Sequence, residues 1–99
     1  MDIGIIGAGA SGIFAALTAA QGEAHVTLFD HNAEIGKKLL VTGSGRCNLT
    51  NAALSPEKYA CADPVWMQAF LHAFPLQVLL AELDRLGIPT HHSDDGWYY

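Results

Sequence analysis

Apolar residues open the chain in a short run, Ile3, Ile5 and Ile6, and return at helical spacing as Ile13, Phe14 and Leu17. The first pattern predicts a buried strand and the second a helix. Between them lies Gly7-Ala8-Gly9-Ala10-Ser11-Gly12. Small residues at Ala15, Ala16, Ala19 and Ala20 keep one flank of the helix thin, and Gly22 is placed to end it with a positive φ. His-Val-Thr-Leu-Phe over 25–29 predicts a second strand, with Asp30 at its end. Farther along, Asp63-Pro64 marks a helix start, and Trp66, Phe70 and Phe74 would share one face of that helix at four-residue spacing. Pro75 breaks it and opens another, striped by Leu76, Leu79, Leu80, Leu83 and Leu86 and ended by Gly87. This helical pair reads as packing structure. Ser55-Pro56 carries a further helix start. Residues 89–93 and Trp97-Tyr98-Tyr99 predict two strands of a hairpin around Asp94-Asp95-Gly96.

Strand, G-x-G-x-x-G, helix is the context of a dinucleotide fingerprint. Gly7 allows the tight turn, Gly9 leaves room for a pyrophosphate to approach the backbone, and Gly12 lets the helix lie close to the strand. The amides of Ala10, Ser11 and Gly12 fall at the helix start, where N–H groups are unpaired and the helix dipole favours an anion. Asp30 lies about 18 residues beyond Gly12, close to the spacing of about 20 at which an acid binds the ribose hydroxyls. Positions 31–35 contain no arginine, which disfavours a 2′-phosphorylated dinucleotide, and His31 reads as an exposed turn residue.

Gly36 to Val41 suits a short helix or a strand. The next stretch, Thr42 to Asn51, is dense in Gly, Ser, Thr and Asn and can present amides and hydroxyls to an anion or a polar ring edge, or serve as a plain flexible loop. Lys37, Lys38 and Arg46 are the cations of this half.

Ninety-nine residues make one small domain but fall short of a doubly wound sheet of about six strands. The chain is therefore expected to be the N-terminal part, 1–99, of a larger dinucleotide-binding domain. A net charge of −5 disfavours nucleic acid as a partner. No uninterrupted apolar run reaches the roughly 20 residues of a membrane span. The two cysteines, Cys47 and Cys61, show no C-x-x-C spacing, which fits a reducing cytoplasm. Cys47 lacks the nearby second thiol of a redox-active pair and reads as a small packed side chain. His91 and His92 are adjacent on a predicted strand and face opposite ways, which disfavours a two-histidine metal site. No side chain is assigned a catalytic role.

The stretch from Gly36 to Asn51, Gly-Lys-Lys-Leu-Leu-Val-Thr-Gly-Ser-Gly-Arg-Cys-Asn-Leu-Thr-Asn, with the G-x-G-x-x-G ahead of it, resembles the signature of the BaiN/RdsA-like (YhiN-like) family of bacterial flavoproteins. The looser resemblance of the remaining segments extends it over essentially the whole chain. It implies an α/β, Rossmann-like βαβ fold within a two-lobed FAD-binding domain of an FAD-dependent oxidoreductase, with a nicotinamide dinucleotide as electron donor. It also implies that Gly7, Gly9, Ala10, Ser11 and Gly12 cradle the pyrophosphate and that Asp30, in place of the usual Glu, holds the adenosine ribose. Lys38 and the loop carrying Gly43, Gly45, Arg46, Cys47 and Asn48 would lie along the flavin half. The competing reading is an NAD-binding dehydrogenase segment, or a truncated chain without catalytic function.

Overall fold

Strand β1 (Asp2–Ile6), helix α1 (Ala10–Gln21) and strand β2 (His25–Phe29) follow one another as the apolar pattern predicts. The computed structural model describes all 99 residues. β1 and β2 pair in parallel from Asp2 opposite His25 to Ile6 opposite Phe29. A parallel pair needs a crossover rather than a hairpin, and α1 supplies it. The close approach of α1 rests on Gly12: a Cβ there would sit 1.8 Å from the Gly7 carbonyl oxygen and 3.7 Å from Ile5 Cγ2. Gly7 itself has φ +102°, open to glycine and strained for other residues.

In this unit the cover over the strands is one-sided, and one expectation, the positive φ at Gly22, fails. Ile3 and Ile5 are half-buried, but Ile6 is 92% exposed and Phe29 55%. α1 covers one face of the strand pair only, while Gly4, Ile6 and Phe29 line an open depression on the other. Gly22 caps α1 with φ −84°, and the positive φ falls one residue later, at Glu23 (φ +62°), whose amide donates to the Ala20 carbonyl.

Beyond β2 the chain forms a short helix α2 (Lys37–Val41), entered through Gly36 at φ +65°. The strand alternative for this stretch is thereby set aside. A tight left-handed turn follows, in which Gly43, Ser44, Gly45 and Cys47 all have positive φ. The left-handed conformation costs a non-glycine residue about 1–2 kcal/mol, so Ser44 and Cys47 make this turn strained.

By its contacts the chain divides into two units, Met1–Cys47 and Asn48–Tyr99. In the second, strand β4 (Trp97–Tyr98) has neighbours on both sides. On one side it pairs antiparallel with β3 (Thr50–Asn51), a partner that reading 42–51 as a loop did not foresee. On the other side His92 bridges Tyr98, and His91 and Tyr99 exchange backbone hydrogen bonds of 2.8 and 3.0 Å. That is the predicted hairpin, shortened at its first strand. His92 stacks on Tyr98 and His91 on Tyr99.

Helix α3 (Pro64–Ala73) starts as predicted: the Asp63 carboxylate accepts the Trp66 amide at 3.0 Å. Trp66 stacks on Phe70 at a centroid spacing of 5.4 Å, and Phe74 lies tilted against Phe70 at 5.2 Å. Helix α4 (Leu76–Arg85) buries Leu83, and Gly87 leaves it at φ +74°. The Ser55-Pro56 signal yields only one 3-10 turn, Pro56–Lys58. Taken end to end, Pro64–Arg85 is 22 residues long and apolar enough to cross a membrane. Phe74 and Pro75 leave helical geometry, however, and split it into two ten-residue helices. Each is about 15 Å long, half of a hydrocarbon core of about 30 Å.

Replacing Gly12 with Ala is expected to disrupt the first unit, because the clash is with backbone rather than a movable side chain. Circular dichroism melting should show a lost or strongly lowered transition. Asp63→Ala, which removes only a helix cap, is expected to cost about 1 kcal/mol by denaturant titration.

Candidate dinucleotide-binding site

Ala8, the residue between the first two fingerprint glycines, is one of two buried apolar residues in the chain, with 2% exposure. Both its backbone groups are engaged. Its N–H donates to Asp30 Oδ2 at 2.7 Å, and its carbonyl accepts the Gly36 N–H at 2.8 Å. One residue earlier, the Gly7 N–H continues the parallel ladder to the Phe29 carbonyl at 2.7 Å. The turn after β1, the end of β2 and the entry to α2 are thus tied together at a single residue.

Asp30 is held from two sides. Oδ2 takes the Ala8 amide, and Oδ1 takes the Asn32 amide at 2.7 Å, an Asx-turn that the two-residue separation allows. Its side chain is 13% exposed, whereas neighbouring His31, 3.8 Å away, is 91% exposed. The Ala8 amide first, then the Asn32 amide, hold the Asp30 carboxyl below its ordinary value of 3.8, against a smaller opposing effect of burial. Each carboxylate oxygen has two acceptor sites, so capacity remains for a further donor.

An open cleft of about 430 Å³ adjoins this knot. Ala8 and Gly9 contribute one wall, Asp30 and Asn32 another, and Gly36, Lys37, Lys38 and Val41 a third. Gly9 is the N-cap of α1 with no side chain to satisfy the helix start. The first helical bond is donated by Ile13 to Gly9, which leaves the amides of Ala10, Ser11 and Gly12 ahead of the ladder. The uncapped amides and helix dipole beside the cleft, with Lys37 and Lys38 in its lining, favour an anion there, against the carboxylates of Asp30 and Glu34, which also line it.

Of the residues singled out from sequence, Gly9, Asp30 and Lys38 share this cleft. Gly7, Ala10, Ser11 and Gly12 form the turn and first helical residues beside it. Gly43, Gly45, Arg46 and Cys47 lie in the turn after α2 and do not line the cleft, and Asn48 opens the second unit. Ala8, His31, Asn32, Glu34, Gly36, Lys37 and Val41 line it without having been assigned to it. Ala8 is an "x" of the motif and carries no signal of its own. Gly36 enters α2 in the left-handed conformation, a role that its neighbours in sequence do not announce.

A parallel βαβ unit with a glycine fingerprint, an acid at the end of its second strand and an anion-suited cleft defines a Rossmann dinucleotide-binding domain. The chain belongs to the family of the HI0933-like protein Rossmann domain, whose model matches residues 1–99. It is 44% identical to the 3-dehydro-bile acid delta(4,6)-reductase of Clostridium scindens over 98% of this chain and 24% of that protein. It is 35% identical to ribosomal RNA dihydrouridine synthases of Haemophilus influenzae (93% of this chain, 23% of that protein) and Escherichia coli (96% and 24%). The chain spans about a quarter of the length of these relatives.

The lowered Asp30 value fixes the sign of a pH effect. A group whose folded pKa is depressed contributes stability that is complete above its unfolded value and is lost as pH falls through the folded one. The stability difference between the parent and Asp30→Asn is therefore expected to be constant above about pH 5 and to close below 3.8. Denaturant midpoints across that range check this, and a difference independent of pH would contradict it.

Proposed function

We propose that the chain is the FAD-binding N-terminal part of a flavin-dependent oxidoreductase whose flavin is reduced by a nicotinamide dinucleotide. One observation carries the nucleotide-binding reading. Gly9 has φ −82° and ψ −170°, which any residue adopts, and a Cβ there would meet nothing within 4 Å. Neither the backbone nor the packing of these residues calls for glycine at this position, and its bare backbone leaves the space in which a pyrophosphate would approach. Gly9 and the amides of Ala10, Ser11 and Gly12 would hold the pyrophosphate, Gly7 and Gly12 shaping the turn, and Asp30 would accept from the adenosine ribose. We read the cofactor as FAD rather than NAD, and place Lys38 and the Gly43 to Asn48 loop, with Gly45, Arg46 and Cys47, along its flavin half, on the resemblance of this stretch to a flavoprotein signature. FAD would supply the hydride and electron chemistry, and the protein its orientation and potential. Reduction is the activity in the name of the 44% identical bile acid reductase, and the free thiols Cys47 and Cys61 fit a cytoplasmic setting.

Gly9→Val in the full-length protein is expected to fold like the parent by circular dichroism yet purify without flavin absorbance. Equal flavin content in the two would overturn the assignment. A parent that purifies colourless and binds NAD instead would favour the dehydrogenase reading. Cys47→Ser is expected to leave flavin reduction by a nicotinamide donor within a few-fold of the parent, since no second thiol stands beside Cys47. Complete loss of stopped-flow reduction with flavin still bound would contradict that.

A further inference from the structure

Ligand binding alone does not account for Asp30. An acid that serves only a ribose can point freely into the cleft, but both oxygens of this one are already engaged with backbone amides at 2.7 Å. One of those amides belongs to Ala8, whose carbonyl is in turn fixed by Gly36. With N–H and carbonyl both pinned, Ala8 cannot rotate, and the peptide leading into Gly9 and the start of α1 is held with it.

We propose that Asp30 is a positioning residue: its carboxylate sets the conformation of the glycine turn before any ligand arrives, and the turn fixes the length of its side chain. The Asx-turn to Asn32 requires the short side chain, because the carboxylate must fold back to an amide two residues on. The inference concerns the ligand-free protein and holds whichever dinucleotide binds.

The test follows the Ala8 and Asn32 amides by ¹⁵N-resolved spectroscopy and hydrogen exchange in the ligand-free full chain. In the parent, both resonances should move with one shared midpoint below 3.8 as the carboxyl protonates. His31, Glu34, Lys37 and Lys38 are the other charged groups at the cleft. Glu34→Gln and His31→Gln identify any part of the transition that belongs to those side chains. Asp30→Asn retains shape but puts an NH₂ group where one oxygen was, so one of the two amides should exchange roughly tenfold faster or more, the loss of one charge-assisted bond. Asp30→Glu should release the Asn32 amide. The amides of Val26 and Leu28 in β2 serve as internal references. Parental exchange at both Ala8 and Asn32 in Asp30→Asn, with weakened ADP binding, would show a ribose ligand only and overturn the proposal. Should the variants fail to fold, the parent titration decides: separate midpoints, or no movement of Ala8, overturn it. None of these readouts depends on flavin, so failure here and failure of the FAD reading are separate results.

Discussion

A carboxylate gripped by two backbone amides is both a charge and a fastener. Asp30 has this position in the first unit, between the amides of Ala8 and Asn32, and most of the local geometry follows from it. The parallel ladder carries the Gly7 amide to the Phe29 carbonyl, which brings Ala8 and Asp30, the residues that follow, close enough for the Ala8 amide to meet the aspartate. The Ala8 carbonyl then captures Gly36 and places α2. Because the charge is spent mainly on backbone donors, it can lie at 13% exposure, with the exposed His31 ring 3.8 Å away adding a smaller share.

The second tight constraint is steric. Gly12 brings the first turn of α1 against the Gly7 carbonyl at a distance no Cβ tolerates. Gly9, three residues earlier, is free of any such contact. Two glycines of one motif therefore differ in what the packing of the chain asks of them: Gly12 is required by it and Gly9 is not. The strained turn after α2, with Ser44 and Cys47 in the left-handed region, is a third place where conformation is fixed at some energetic cost.

Signals that act over a few residues were readable before the structure. The fingerprint turn, the Asp63 cap, the Pro75 break, Gly87 at the end of α4 and the Asp95-Gly96 hairpin each depend on neighbours within one or two turns. What escaped depends on partners far along the chain. The apolar run at Ile3, Ile5 and Ile6 is equally compatible with cover on one face or both, and only the single helix over β1 decides that Ile6 is exposed. Thr50 and Asn51 have loop composition and become a strand because Trp97 and Tyr98 present an edge to them. Within the site, the glycines and Asp30 announced themselves by spacing. Lys37 and Asn32 reached the cleft through the Gly36 left-handed entry and the Asx-turn, which spacing alone does not locate.

The doubly tied aspartate also bears on how such a domain changes its cofactor. In dinucleotide folds, accommodating a 2′-phosphate goes with an arginine near the acid that ends the second strand. Here, replacing the acid itself would free the Ala8 amide, so a change of specificity made at Asp30 would loosen the glycine turn. An engineer who wants that change must leave Asp30 in place and introduce the positive charge around it. His31, exposed and outside the hydrogen-bond knot, is the position where evolution or design has room to act.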